Sequence, residues 1–146
     1  MTDGGRPSPD PQPSEWDVGG LHFAVSFRAP AGATFRLSGP VAGSRQELVR
    51  FDDFVDSPHY HAPADADPIM FDRATQGEPL EWLVHQIGDH LEELLTSAGF
   101  EAMLPALDTA AVAASAERLR TEMVACVPDG YVRVPGVGLQ RAGAAP

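Results

Sequence analysis

The chain has 146 residues, enough for one domain with a core of its own. Its formal net charge is −11, with 21 acidic residues against 10 basic ones, which argues against a nucleic-acid partner and against an anionic membrane surface. The single cysteine excludes an internal disulfide, and the absence of a signal peptide or a membrane-length apolar run leads us to expect a cytoplasmic location.

Both ends of the chain are predicted to lie outside the folded part. Residues 1–14 are rich in proline and small polar residues and cannot bury enough apolar surface to fold, so we expect a disordered arm. Residues 136–146 are rich in glycine and alanine and are expected to form a flexible tail. The remaining residues 15–135 are predicted to form a single domain.

The N-terminal half carries the pattern of β-strands. Apolar and polar residues alternate strictly from Leu21 to Arg28, which is the period of a half-buried strand. The alternation returns from Thr34 to Val41. A third strand is predicted over Gln46 to Phe54, although its facing is ambiguous because Leu48 and Val49 are adjacent. The connections are short, which favours antiparallel neighbours.

The C-terminal half carries the pattern of amphipathic helices. The stretch from Pro79 to Ala98 has apolar residues at the i, i+3, i+4, i+7 spacing of one helical face. These residues are Leu80, Leu83, Val84, Ile87, Leu91, Leu94, Leu95 and Ala98. Asp108 has the character of an N-cap for a second helix, which is predicted to run to Val127.

These patterns together predict an α+β fold. A small antiparallel sheet of three to four strands, formed by residues 16–62, is expected to be covered on one face by helices 79–98 and 108–127. The apolar stripe of the first helix needs such a surface to lie on. The other sheet face is moderately polar and is a candidate surface for self-association or for a partner.

The sequence His59-Tyr60-His61 is the best candidate for chemistry. In an extended chain the two histidines project to one side, while Tyr60 projects to the other. Imidazole and carboxylate ligands together suit zinc or iron, and Asp52 and His22 are candidates to complete the site. The alternative interpretation is an exposed or structural histidine pair, for which no cofactor is expected.

A second group of residues lies on the helix face opposite the apolar stripe. Trp82, His85 and Asp89 fall on this face, with the last two spaced i, i+4. No nucleophile accompanies them, so no catalytic residue is assigned. An exposed tryptophan is typical of a contact surface, and we include Tyr60 among the candidate interaction residues.

The segments FDDFVDSPHYHAP (51–63) and FDRATQGEPLEWL (71–83) resemble a family of small uncharacterised bacterial proteins. The resemblance implies that the strand, the histidine loop and the helix form one unit, and it implies no activity.

Two functions follow from the sequence. The first, which the sequence favours, is a non-catalytic interaction or accessory protein that binds an unknown protein partner or a second copy. The second is a metal-binding protein or metalloenzyme centred on His59 and His61. Whether the protein is an enzyme is not decided by the sequence.

Overall fold

The computed structural model describes residues 13–143, so most of the predicted arm and the last three residues of the predicted tail lie outside the described residues. The α+β prediction is confirmed, but the main sheet has six strands rather than three to four. The strands are β1 (Ser14–Val18), β2 (Leu21–Arg28), β3 (Gly32–Val41), β4 (Ser44–Phe54), β5 (His59–His61) and β6 (Ile69–Met70). They form an antiparallel meander in which each strand pairs with its neighbours in the chain.

The predicted strands lie within β2, β3 and β4, and the ambiguous facing of β4 has a structural explanation. Leu37 pairs with Val49 and Ser38 pairs with Glu47, so Leu48 is an extra residue in a β-bulge. The bulge lets the adjacent side chains of Leu48 and Val49 both become buried. Beyond it, the side chains of β4 again project to alternate faces, with Phe51 on the inner face and Asp52 on the outer face.

The inner face of the sheet is covered by helices, as predicted, although each predicted helix is interrupted. The helices are α1 (Arg73–Gln76), α2 (Pro79–Asp89), α3 (Leu91–Ser97), the 3-10 helix Glu101–Ala106, α4 (Thr109–Ala114) and α5 (Ala116–Ala125). All eight residues of the apolar stripe are buried, in one core with Phe23, Phe35 and Phe51 of the sheet. None of the helices within residues 13–143 combines the length and the apolar character needed to cross a membrane.

The two interruptions fall at His90 and Ser115. His90 has φ −134° and ψ 28°, outside the helical region, and it both ends α2 and precedes α3. Ser115 separates α4 from α5, and its Oγ accepts a hydrogen bond from Trp16 Nε1 at 2.9 Å. The apolar spacing continues across both residues, which is why the sequence predicted uninterrupted helices.

Beyond the helices, β7 (Tyr131–Val134) pairs with β8 (Gly138–Arg141) in a separate hairpin. β8 lies in the predicted tail, and Leu139 is 1% exposed, so ordered structure extends beyond the predicted boundary at residue 135. The hairpin is held by an ion pair of 2.7 Å between Arg133 and the buried Asp53. Burial raises the pKa of Asp53, and Arg133 opposes that rise.

Candidate metal centre

The outer face of the sheet brings together three of the four predicted metal ligands. β4 and β5 pair so that Asp52 lies opposite His59, and Arg50 lies opposite His61. Side chains of directly paired residues project to the same face, and side chains two residues apart in a strand do so as well. Asp52, His59 and His61 therefore meet on one side, whereas Tyr60 projects to the inner face.

The donor atoms of these three side chains converge. Asp52 Oδ2 lies 3.0 Å from Nε2 of His59 and 3.8 Å from Nε2 of His61. One donor atom from each residue lies within 4.8 Å of the other two, and no other group of three such residues in the 13–143 range meets this condition. The side chains are 4%, 15% and 12% exposed respectively, so the cluster is half-buried and still accessible from outside.

Backbone carbonyl groups fix the orientation of both rings. His59 Nδ1 lies 2.7 Å from the carbonyl oxygen of Ser57, and His61 Nδ1 lies 2.8 Å from that of Ala66. A carbonyl oxygen only accepts hydrogen bonds, so each Nδ1 must carry a proton and donate it. In the neutral imidazole this leaves the lone pair on Nε2, the atom that faces Asp52.

This arrangement places lone pairs against lone pairs. An ionised carboxylate has no proton to donate, and neither has Nε2 of these neutral rings. Asp52 Oδ2 and His59 Nε2 are 3.0 Å apart, and two lone pairs at that distance repel each other. Only a cation between them, either a proton or a metal ion, stabilises this arrangement. Metal-binding histidines usually donate their other ring N–H to a carbonyl or carboxylate, which is what both rings do here.

The Asp52 carboxylate is oriented by Thr34 on β3 and lies beside Arg50 on its own strand. Thr34 Oγ1 donates to Asp52 Oδ1 at 2.8 Å, which leaves Oδ2 directed at the histidines. Arg50 Nε lies 3.8 Å from Oδ2, is buried, and has no hydrogen-bond acceptor within the described part of the chain. The guanidinium is thus a permanent positive charge beside the cluster.

His22, the fourth predicted ligand, does not belong to this cluster. It lies on β2, which β3 and β4 separate from β5, a distance of about 14 Å at the usual strand spacing. Its ring nitrogens are each 2.7 Å from a carboxylate oxygen of β1, on Asp17 and Glu15. The prediction failed because alternation places His22 on the correct face but does not say how many strands intervene.

Trp82 is not the exposed contact residue that the helix pattern suggested. It is partly buried, lies 4.7 Å from Tyr60 between ring centroids, and stacks on Phe51 at 6.0 Å. Phe71 closes the cluster at 5.5 Å. Burial raises the pKa of Tyr60. These rings support β5 from the inner face, directly behind the two histidines.

His85 and Asp89 are exposed on α2, as predicted, and their side chains are 2.8 Å apart. Since Trp82 and Tyr60 pack inward, the four candidate interaction residues do not form one surface. Four further groups around the cluster were not predicted: the side chains of Thr34 and Arg50, and the carbonyl groups of Ser57 and Ala66. The paired register of the strands would have identified the first two, but the carbonyl contacts arise from the fold of the loops.

A family model described as a domain of unknown function (DUF7700) matches residues 15–123, a range that includes every residue of the cluster. No curated protein and no solved structure gives a match.

Proposed function

The chain belongs to the DUF7700 family, and because that description gives no activity we propose from geometry that the protein binds a divalent transition-metal ion through Asp52, His59 and His61. One observation carries the proposal. Both imidazoles have Nδ1 committed to a backbone carbonyl and direct Nε2 toward the same carboxylate oxygen. Because Nδ1 carries the proton in each ring, the lone pair on Nε2 is already oriented for metal binding in the absence of an ion.

The donor set favours zinc or ferrous iron. Two imidazoles and one carboxylate suit these ions better than calcium or magnesium, which prefer oxygen ligands alone. Three protein ligands leave at least one coordination position to water or to a small ligand, which distinguishes such a site from a closed structural zinc site. A water molecule on such an ion is acidified and becomes a nucleophile near neutral pH.

The charges around the cluster favour an anion at the open position. Asp52 offsets one of the two charges of the ion, and Arg50 adds a positive charge at 3.8 Å from the carboxylate. The combined charge is therefore positive, and hydroxide or a small anionic ligand is stabilised there. The Glu47 carboxylate lies 3.8 Å from Arg50 and 3.4 Å from Arg36, so its negative charge is offset by the second guanidinium and the combined charge stays positive.

The experiment measures stabilisation by metal in the full chain after treatment with a chelator. An ion that binds only the folded state at 100 times its Kd stabilises that state by about 2.7 kcal/mol. We expect Zn²⁺, or Fe²⁺ without oxygen, to raise the Tm of the wild type. The Asp52→Asn variant and the double variant His59→Gln/His61→Gln should show a smaller rise, because each loses ligands on the sheet.

His22→Gln is the matched control, because His22 lies on the same sheet face but has both nitrogens bonded to β1. It should respond to metal as the wild type does. Circular dichroism without metal establishes that each variant is folded. A Tm rise in Asp52→Asn and in the double variant that equals the wild-type rise would refute the proposal.

A further inference from the structure

A second pair of histidines meets at the interruption between α2 and α3. His85 and His90 are five residues apart, and in a continuous helix their side chains would point about 140° away from each other. Because His90 leaves the helical region, the rings approach to 4.8 Å between centroids and their Nε2 atoms to 3.3 Å. The interruption is what creates the pair.

Carboxylates fix the orientation of both rings. His85 Nδ1 is 2.8 Å from Asp89 Oδ2, and His90 Nδ1 is 2.8 Å from Glu93 Oε2. A carboxylate accepts and an Nδ1–H donates, so in the neutral rings the lone pairs are on the two Nε2 atoms, which face each other. This repeats, with carboxylates in place of carbonyls, the arrangement that supports metal-binding histidines.

We propose that His85 and His90 form a second transition-metal site, separate from the one on the sheet. Zinc–nitrogen distances of about 2.0–2.1 Å in tetrahedral geometry separate two ligand nitrogens by about 3.3–3.4 Å. The observed separation of 3.3 Å meets that requirement without movement of either ring. The proposal does not depend on the proposed function, because α2 covers the inner face of the sheet and the first cluster lies on the outer face.

The remaining ligands come from outside the pair. The side chains of His85 and His90 are 59% and 45% exposed, and no third histidine, cysteine or acidic side chain of residues 13–143 completes a three-donor group with them. The carboxylates of Asp89 and Glu93, which contact the Nδ1 atoms, offset the two positive charges of the ion. The open positions therefore suit neutral donors such as water or the imidazole of another molecule, unlike the positive site on the sheet.

The test is equilibrium dialysis of the full chain against Zn²⁺, with bound zinc counted by atomic emission. We expect the wild type to bind one zinc ion more than His85→Gln/His90→Gln. Both residues are exposed, so these substitutions leave the core intact. The variant His59→Gln/His61→Gln, with its sheet site removed, should retain the second ion, and His22→Gln should bind as the wild type does.

The results separate the two sites. If His59→Gln/His61→Gln binds no zinc, or if His85→Gln/His90→Gln binds as much as the wild type, the second site is refuted, whatever happens at the first. Glu93→Gln tests the orienting role of the carboxylate, and we expect it to weaken zinc binding at this site about 10-fold or more. Unchanged affinity in Glu93→Gln would contradict the geometry on which the site rests.

Discussion

Thr34 donates a hydrogen bond from Oγ1 to Oδ1 of Asp52 at 2.8 Å, and both residues are buried. The two residues are directly paired across β3 and β4. This bond satisfies one carboxylate oxygen and leaves the other directed at His59 and His61. A buried hydrogen bond on the outer face of the sheet and the geometry of the candidate metal centre therefore depend on the same hydroxyl group.

Thr34→Val should lower both stability and metal affinity. Valine keeps the shape of the side chain but removes the donor, so a buried acceptor is left unsatisfied at a cost of about 1–3 kcal/mol. Zinc affinity at the sheet site should fall by about 10–100-fold, as is usual when a group that orients a ligand is lost. Urea denaturation and zinc titration measure the two effects. Thr121→Val, an exposed helix position, is the control and should change neither.

Trp82→Ala should destabilise the fold and weaken the sheet metal site. Its ring packs on Tyr60 and Phe51 behind β5, so truncation removes a large contact and leaves a cavity, at a cost of about 3 kcal/mol. Trp82→Phe should recover most of the loss. A Trp82→Ala variant that unfolds at the wild-type urea concentration would instead support the earlier hypothesis of an exposed contact residue.

Glu78→Gln should change the pH dependence of stability. Burial raises the pKa of Glu78, which is 12% exposed and accepts a hydrogen bond from the backbone N–H of Glu81. A raised pKa in the folded state means that the stability contributed by this carboxyl group is largest at low pH and is lost as pH rises through the folded value. Glutamine does not titrate.

The free energy of unfolding of the wild type, relative to Glu78→Gln, should therefore fall as the pH rises above about 4.3, the ordinary pKa of a glutamate side chain. Denaturant titrations at several pH values measure this difference. The exposed Glu92→Gln serves as the control for the loss of one negative charge. A difference that rises with pH would show that burial does not dominate the environment of Glu78.

Cys126 should react slowly with thiol reagents while the protein is folded. It is 5% exposed, donates to the carbonyl of Met123, and has its pKa raised by burial to about 11. Because the thiolate is the reactive form, labelling with a disulfide reagent at about pH 8 should be slow in buffer and fast in urea. Fast labelling of the folded protein would contradict the burial.

The sequence by itself determined the central strands and the buried helix face of this protein. Strict alternation identified β2, β3 and most of β4, and the apolar stripe from Leu80 to Ala98 identified the buried face of two helices. The two-residue repeat of an extended strand also predicted that His59 and His61 lie on one side and Tyr60 on the other, as the structure shows. The predicted membership of an uncharacterised family is confirmed, while a partner and a cytoplasmic location stay predictions.

Only the tertiary structure decided which of these side chains meet. Periodicity gives the face on which a residue lies but not the strand beside it, so His22 and Asp52 were equivalent candidates until strand order separated them. The helix interruption at His90 was invisible, because the apolar spacing continues across it. Trp82 was placed outward because helical spacing cannot reveal that β5 folds back over that helix face. The face on which a side chain lies follows from the local geometry of the backbone. Which side chains meet depends on contacts between residues that are far apart in the chain.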